Sequence, residues 1–123
     1  MIIVDTMIWI DHLRAADPTL ARLMDGAEVM MHPFVLGELA LGSIANRARR
    51  LSEWRDLPVP KVLRPFDVLN FIENNRLFAR GIGFTDANLL ASASTSEGVL
   101  LWTRETRLGK LAEEFGVRAR LDH

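Results

Sequence analysis

The sequence predicts an α/β layered fold with a mainly parallel sheet. Short apolar runs, Ile2-Ile3-Val4 and Val99-Leu100-Leu101-Trp102, alternate with segments that repeat apolar residues at helical spacing. The runs are apolar throughout, which suits strands covered on both faces. The Asn-Gly hairpin signal is absent between them.

Taken in order, Ile2–Val4 is the first strand, and Thr6 starts a helix running to about Leu13. Pro18 at a first helical position opens a second helix that ends near Gly26. Glu28 to Met31 is a second strand, and Pro33 opens a helix through Leu41. Ile44 to Leu57 is a charged helix closed by Pro58 and Pro60, and Val62-Leu63 is a short strand before Pro65. Phe66 to Ala79 is helical until Gly81-Ile82-Gly83 breaks it, and Thr85 caps the next helix. Val99–Trp102 is a strand, Thr106–Phe115 a helix, and Val117–Leu121 a short final strand.

The 123 residues fit one domain, 1–123, without repeats, low-complexity tracts or a linker. Hydrophobic content of 49% with 25% charged residues is a globular composition, which excludes wholesale disorder. No apolar run is long enough to span a membrane. The opening Met1–Asp5 has no basic n-region, so no secretory signal is expected. Cysteine is absent, which excludes disulfides and thiolate metal sites. A cytoplasmic protein is the expectation. The net charge of −1 means that any contact with nucleic acid comes from a local patch. Arg47, Arg49 and Arg50 form one basic cluster, read as a solvated helix face. Arg104, Arg107 and Lys110 form another, close in sequence to an acid of interest.

That acid is Glu105, one of four carboxylates at the edges of apolar segments, with Asp5, Glu38 and Asp86. Asp5 ends the first strand, where α/β sheets bind ligands, although Asp there also serves as a helix cap. Glu38 has Phe34, Val35 and Leu41 as helical neighbours and is expected to share an apolar face, unfavourable for a carboxylate without an arginine or a cation beside it. Asp86 falls in a first helical turn after two glycines, and Glu105 follows a strand; each also suits a plain helix-dipole position. The remaining acids, from Asp11 to Asp122, read as solvated or capping.

Two carboxylates about 4 Å apart repel by about 4 kcal/mol at an effective dielectric of about 20. A cluster of them opposes folding unless protons or a cation neutralise it. Magnesium and manganese take such hard oxygen ligands and activate water toward a phosphodiester. If the four acids converge, the chain is a metal-dependent phosphodiester-cleaving enzyme; if they do not, they are caps. His12, His32 and His123 lack metal-site spacing, and no nucleophile elbow or phosphate loop occurs.

Four segments together resemble the PIN-domain ribonucleases, specifically the VapC toxins of bacterial type II toxin–antitoxin systems: Ile2–Thr6, Pro33–Leu39, Gly81–Ala91 and Leu101–Glu105. The resemblance covers nearly the whole chain. It implies a three-layer α/β/α sandwich and a Mg2+- or Mn2+-dependent endoribonuclease acting on RNA. It implies Asp5, Glu38 and Asp86 as the acidic triad, a cognate antitoxin protein that blocks the site, and commonly a toxin homodimer. The fourth family acid is usually Asp where this chain has Glu105, and Asn88 stands where many relatives carry His. Thr6 and Thr103 match hydroxyl positions that orient the acids or bound water, and Arg104, Arg107 or Lys110 would meet the RNA backbone. Two rival readings are a phosphoacceptor receiver domain and a catalytically weak binding module. The receiver would need paired acids after its first strand and a Lys ending a late strand, but Asp5 stands alone.

Overall fold

A computed structural model describes residues 1–121; Asp122 and His123, read above as a solvated acid and a histidine outside any metal spacing, lie outside the described residues. Strand β1 (Ile2–Val4) leads into α1 (Thr6–Arg14) and α2 (Pro18–Asp25), then β2 (Val29–Met30). Four helices follow: α3 (Pro33–Ala40), α4 (Arg47–Arg55), α5 (Pro65–Asn74) and α6 (Phe84–Ser94). The chain closes with β3 (Leu100–Trp102) and α7 (Thr106–Glu114).

The sheet is parallel throughout, in the order β2-β1-β3. Ile2 pairs with Val29 on one side and with Leu100 on the other. The expected final strand is reduced to one parallel bridge, Leu101 with Arg118, held by bonds between Leu101 and the main chain of Val117 and Ala119. The chain leaves β1 toward β2 and returns across it to β3, so β1 and β3 flank the point where strand order reverses. Ligands of open α/β sheets bind beyond the strand ends at such a point.

One hydrophobic core holds these elements together. Ile3, Val4, Leu101 and Trp102 fill the sheet and are fully covered. Ile8, Leu20, Val35, Leu89, Leu90, Leu108 and Leu111 pack on it from the helices. Trp9 and Trp54 are also buried, with ring centroids 5.8 Å apart. All three tryptophans therefore belong to the core.

Three local expectations are corrected. Val62-Leu63 forms no strand: residues 58 to 64 carry Pro58 and Pro60, which cannot donate to a ladder, and Val62 is exposed. The helix expected to reach Ala79 stops at Asn74, where Arg76 takes a left-handed φ of 52° and Leu77 N–H bonds back to Ile72 carbonyl. Thr85 lies inside α6, and Gly83 is its N-cap residue. Among the described residues, no helix is long and apolar enough to cross a membrane.

Candidate active site

Because β1 and β3 are neighbours, their carboxyl ends bring Asp5 and the Thr103–Glu105 segment to one sheet edge. Asp5 N–H donates to the Trp102 carbonyl at 2.9 Å. The Asp5 side chain is buried, and both its oxygens accept a hydrogen bond. The Thr6 main-chain N–H donates to Oδ1 at 2.8 Å, and the Thr103 hydroxyl donates to Oδ2 at 2.7 Å. Asp5 is thus the N-cap of α1 as well as a sheet-edge acid. Thr103, itself buried, also accepts the Glu105 N–H at 3.1 Å. One hydroxyl therefore fixes the orientation of Asp5 and the path of the chain into Glu105. Thr6 contributes through its main chain.

Asp86 is the third residue of α6, close to the main chain of the N-cap residue Gly83, which favours its charged form. Burial, then the charges of Glu105 and Asp5, push its pKa up to about 6. The nearness of the Glu105 carboxyl thus favours the protonated form of Asp86. Glu105 is exposed at the N-cap position of α7, yet its side chain makes no capping bond there. Three acids thus lie in one electrostatic field, at the N-terminal ends of α1, α6 and α7. The positive ends of those helices offset part of the repulsion. Among the described residues, no three Asp, Glu or His side chains are gathered closely enough to enclose a metal ion as they stand.

Glu38 is placed differently from the expectation. It is exposed, so the desolvation argument for it fails. Helix α3 packs through Val35 and Leu39, whereas Leu41 is 85% exposed and Gly37 is open. Its neighbour Leu41 therefore borders solvent, and only Val35 of its apolar neighbours is fully covered. Glu38 faces a cleft of about 380 Å³ whose walls include Ile10, Leu13, Leu39, Ile44 and Arg50. The acids raising Asp86 are Glu105 and Asp5.

Of the three cations singled out, Arg104 is already engaged. Its guanidinium donates to Asp11 at 3.1 Å and to Asp17 at 2.6 Å, and it lies 5.4 Å from the Trp102 ring centre. It ties the end of β3 to α1 and α2. Asp17 also caps α2 through the N–H groups of Thr19 and Leu20. Arg107 lies over Gly81, where a Cβ would come within 2.6 Å of its guanidinium. Gly81 has φ of +80°, so both its backbone and its missing side chain make this approach feasible. Arg107 thereby joins the first turn of α7 to the loop that leads into Asp86. Lys110 is exposed on α7, and Arg49 pairs with Glu53 on the solvated face of α4.

Asn88 is buried and donates its amide to the Phe84 carbonyl at 2.9 Å. His32 was set aside by spacing alone, yet it is fully buried at the N-cap of α3. Its Nδ1 accepts the Phe34 N–H at 3.0 Å, so the ring proton sits on Nε2, which donates to Ser92 Oγ at 3.0 Å. The sequence signal was a polar residue directly before the helix-opening Pro33.

The PIN domain family model matches residues 2–114. Ribonuclease VapC32 of Mycobacterium tuberculosis, from strains CDC 1551 / Oshkosh and ATCC 25618 / H37Rv, is 45% identical over 117 residues, covering 95% of this chain and 94% of the relative. The family match over residues 2–114 and this identity set the receiver alternative aside: the chain belongs to the PIN-domain family and, within it, is a relative of the VapC ribonucleases.

Proposed function

We propose that this protein is an endoribonuclease, the toxin of a type II toxin–antitoxin system, and that it cleaves RNA with a magnesium or manganese ion. The observation that carries the reading is the shared field of Asp5, Asp86 and Glu105, in which Asp86 is pushed up to about 6. Above that pH the acids carry uncompensated negative charge, and their donors are all hard oxygens. This donor set fits a hard dication. Asp5, Asp86 and Glu38 would hold it, with Glu105 assisting. Bound there, a dication supplies an activated water and neutralises charge on the phosphodiester.

The chain's own residues do the rest. Thr103 and the Thr6 N–H hold the two oxygens of Asp5 in a fixed plane, leaving a lone-pair site free on each. Glu105, whose charge acts on Asp86, caps no N–H of its own helix. Arg107 and Lys110 border this edge as cations for the RNA backbone, which predicts salt-dependent binding. Arg104, committed to Asp11 and Asp17, is better read as the brace of the β3 end.

A cognate antitoxin that covers the site, a toxin homodimer and a cytoplasmic location complete the proposal. The absence of cysteine accords with a reducing compartment. A single folded unit spanning 1–123 accords with the one continuous core.

The test is incubation of purified protein with total RNA, with and without chelator, followed by mapping of new 5′ ends. Cleavage is expected to vanish with chelator, return with manganese and be absent in Asp5→Asn. Cleavage that survives chelation, or that Asp5→Asn retains, removes the reading.

A further inference from the structure

His32 and Ser92 form the one hydrogen-bonded pair of side chains described between α3 and α6. Both are buried, at 0% and 1% exposure, among apolar neighbours. Either group left alone there would be costly. Capping alone does not account for a histidine at this position. Ser, Thr, Asp or Asn would satisfy the Phe34 N–H equally well, but none of them reaches across to α6. The imidazole does both, with one nitrogen for each helix.

The placement of the bridge gives it a consequence. Glu38 is six residues beyond His32 on α3, and Asp86 is six residues before Ser92 on α6. At ~1.5 Å per residue each carboxylate-bearing position lies about 9 Å along its helix from the bridge. A second contact lies on the same side: Phe34 stands against the ring of Phe84, with centroids 6.5 Å apart, and the His32 ring meets the edge of Phe34 at 5.4 Å. Phe34 is one turn before Glu38, and Phe84 is two residues before Asp86. Two points of attachment define both the separation and the angle of two stiff helices.

We infer that His32 is a positioning residue: through Ser92 it sets α3 against α6 and so fixes the distance between the Glu38 and Asp86 carboxylates. The inference rests on the reading of those acids as metal ligands. It also supplies what the exposure of Glu38 leaves open, namely how a solvent-facing side chain is kept in register with a partly buried one.

Ser92→Ala removes only the hydroxyl. His32→Asn keeps the cap and loses the reach, whereas His32→Gln keeps an N–H able to meet Ser92. Manganese affinity is measured by calorimetry without RNA, and kcat and KM are measured with RNA, each normalised to folded protein. Ser92→Ala and His32→Asn are expected to weaken manganese binding about tenfold and to lower kcat by a similar factor, with KM for RNA nearly unchanged. His32→Gln is expected to recover manganese affinity to within about threefold of wild type. Folded variants with wild-type manganese affinity and kcat, and only a lower melting temperature, overturn the inference. Should His32→Asn fail to fold, Ser92→Ala decides alone. A wild type that neither binds manganese nor cuts RNA removes the proposed function and this inference with it; a normal wild type with unmoved variants removes the inference only.

Discussion

Asp86→Asn should change the shape of the stability–pH curve in metal-free buffer. Burial and its acidic neighbours raise Asp86 from 3.8 to about 6. At ~1.4 kcal/mol per tenfold change in proton affinity this is about 3 kcal/mol, reduced by solvent screening at a half-buried position to about 1–2 kcal/mol. A raised folded pKa means that the folded chain keeps a proton the unfolded chain has lost. The corresponding stability is complete below about pH 4 and is lost as pH rises through about 6. His32 works in the opposite sense. Burial lowers it from 6.5 to about 4, so its contribution is complete above about 6.5 and is lost as pH falls toward 4, by about 3 kcal/mol. In the wild type the two trends overlap and partly offset each other. In Asp86→Asn the histidine loss is no longer offset. The variant should therefore be more stable by about 1–2 kcal/mol at pH 8, with that advantage shrinking to nothing near pH 4. Urea unfolding with chelator at pH 8, 6.5, 5 and 4 measures this directly. A constant gap across that range, or a variant less stable than wild type at pH 8, refutes the assignment of mutual repulsion to these acids.

Saturating manganese should raise the melting temperature of the wild type, corresponding to about 2.7 kcal/mol at a hundredfold excess over Kd, and should leave Asp5→Asn unmoved. Thr103→Val keeps the side-chain shape but drops the bonds to Asp5 and Glu105; a stability loss of about 1–3 kcal/mol by urea unfolding and a lower cleavage rate per folded molecule are expected. Gly81→Ala meets both a left-handed φ and the Arg107 guanidinium; it should cost about 1–2 kcal/mol and raise KM for RNA, an effect that Arg107→Ala should reproduce in KM without the stability cost.

Most of the element order was legible because the strands are short apolar runs and three of the helices open on prolines. Pro18, Pro33 and Pro65 each begin a helix, as their fixed φ favours. The missed strand at Val62-Leu63 and the early stop of α5 follow from backbone events that apolar spacing does not encode: a proline-flanked loop and a left-handed Arg76. For the site, Asp5 and Glu105 were legible as strand-end acids, and Asp86 as a first-turn acid. Glu38 was singled out for a burial that it does not have, because local apolar neighbours were taken for a buried face when Leu41 and Gly37 border solvent. Arg104 could not be known to be paired, since Asp11 and Asp17 lie 93 and 87 residues away in sequence. The His32–Ser92 bridge, 60 residues apart, was invisible for the same reason.

The bond from Thr103 to Asp5 joins residues 98 positions apart, and β1 gains its β3 neighbour only when Leu100–Trp102 are available. Contacts of such long sequence separation form late and slowly. A growing polypeptide on the ribosome therefore carries Asp5 without the partner that orients it until Thr103 has been made. The acidic edge is assembled only once β3 has emerged, so the order of synthesis itself delays the moment at which this corner takes shape.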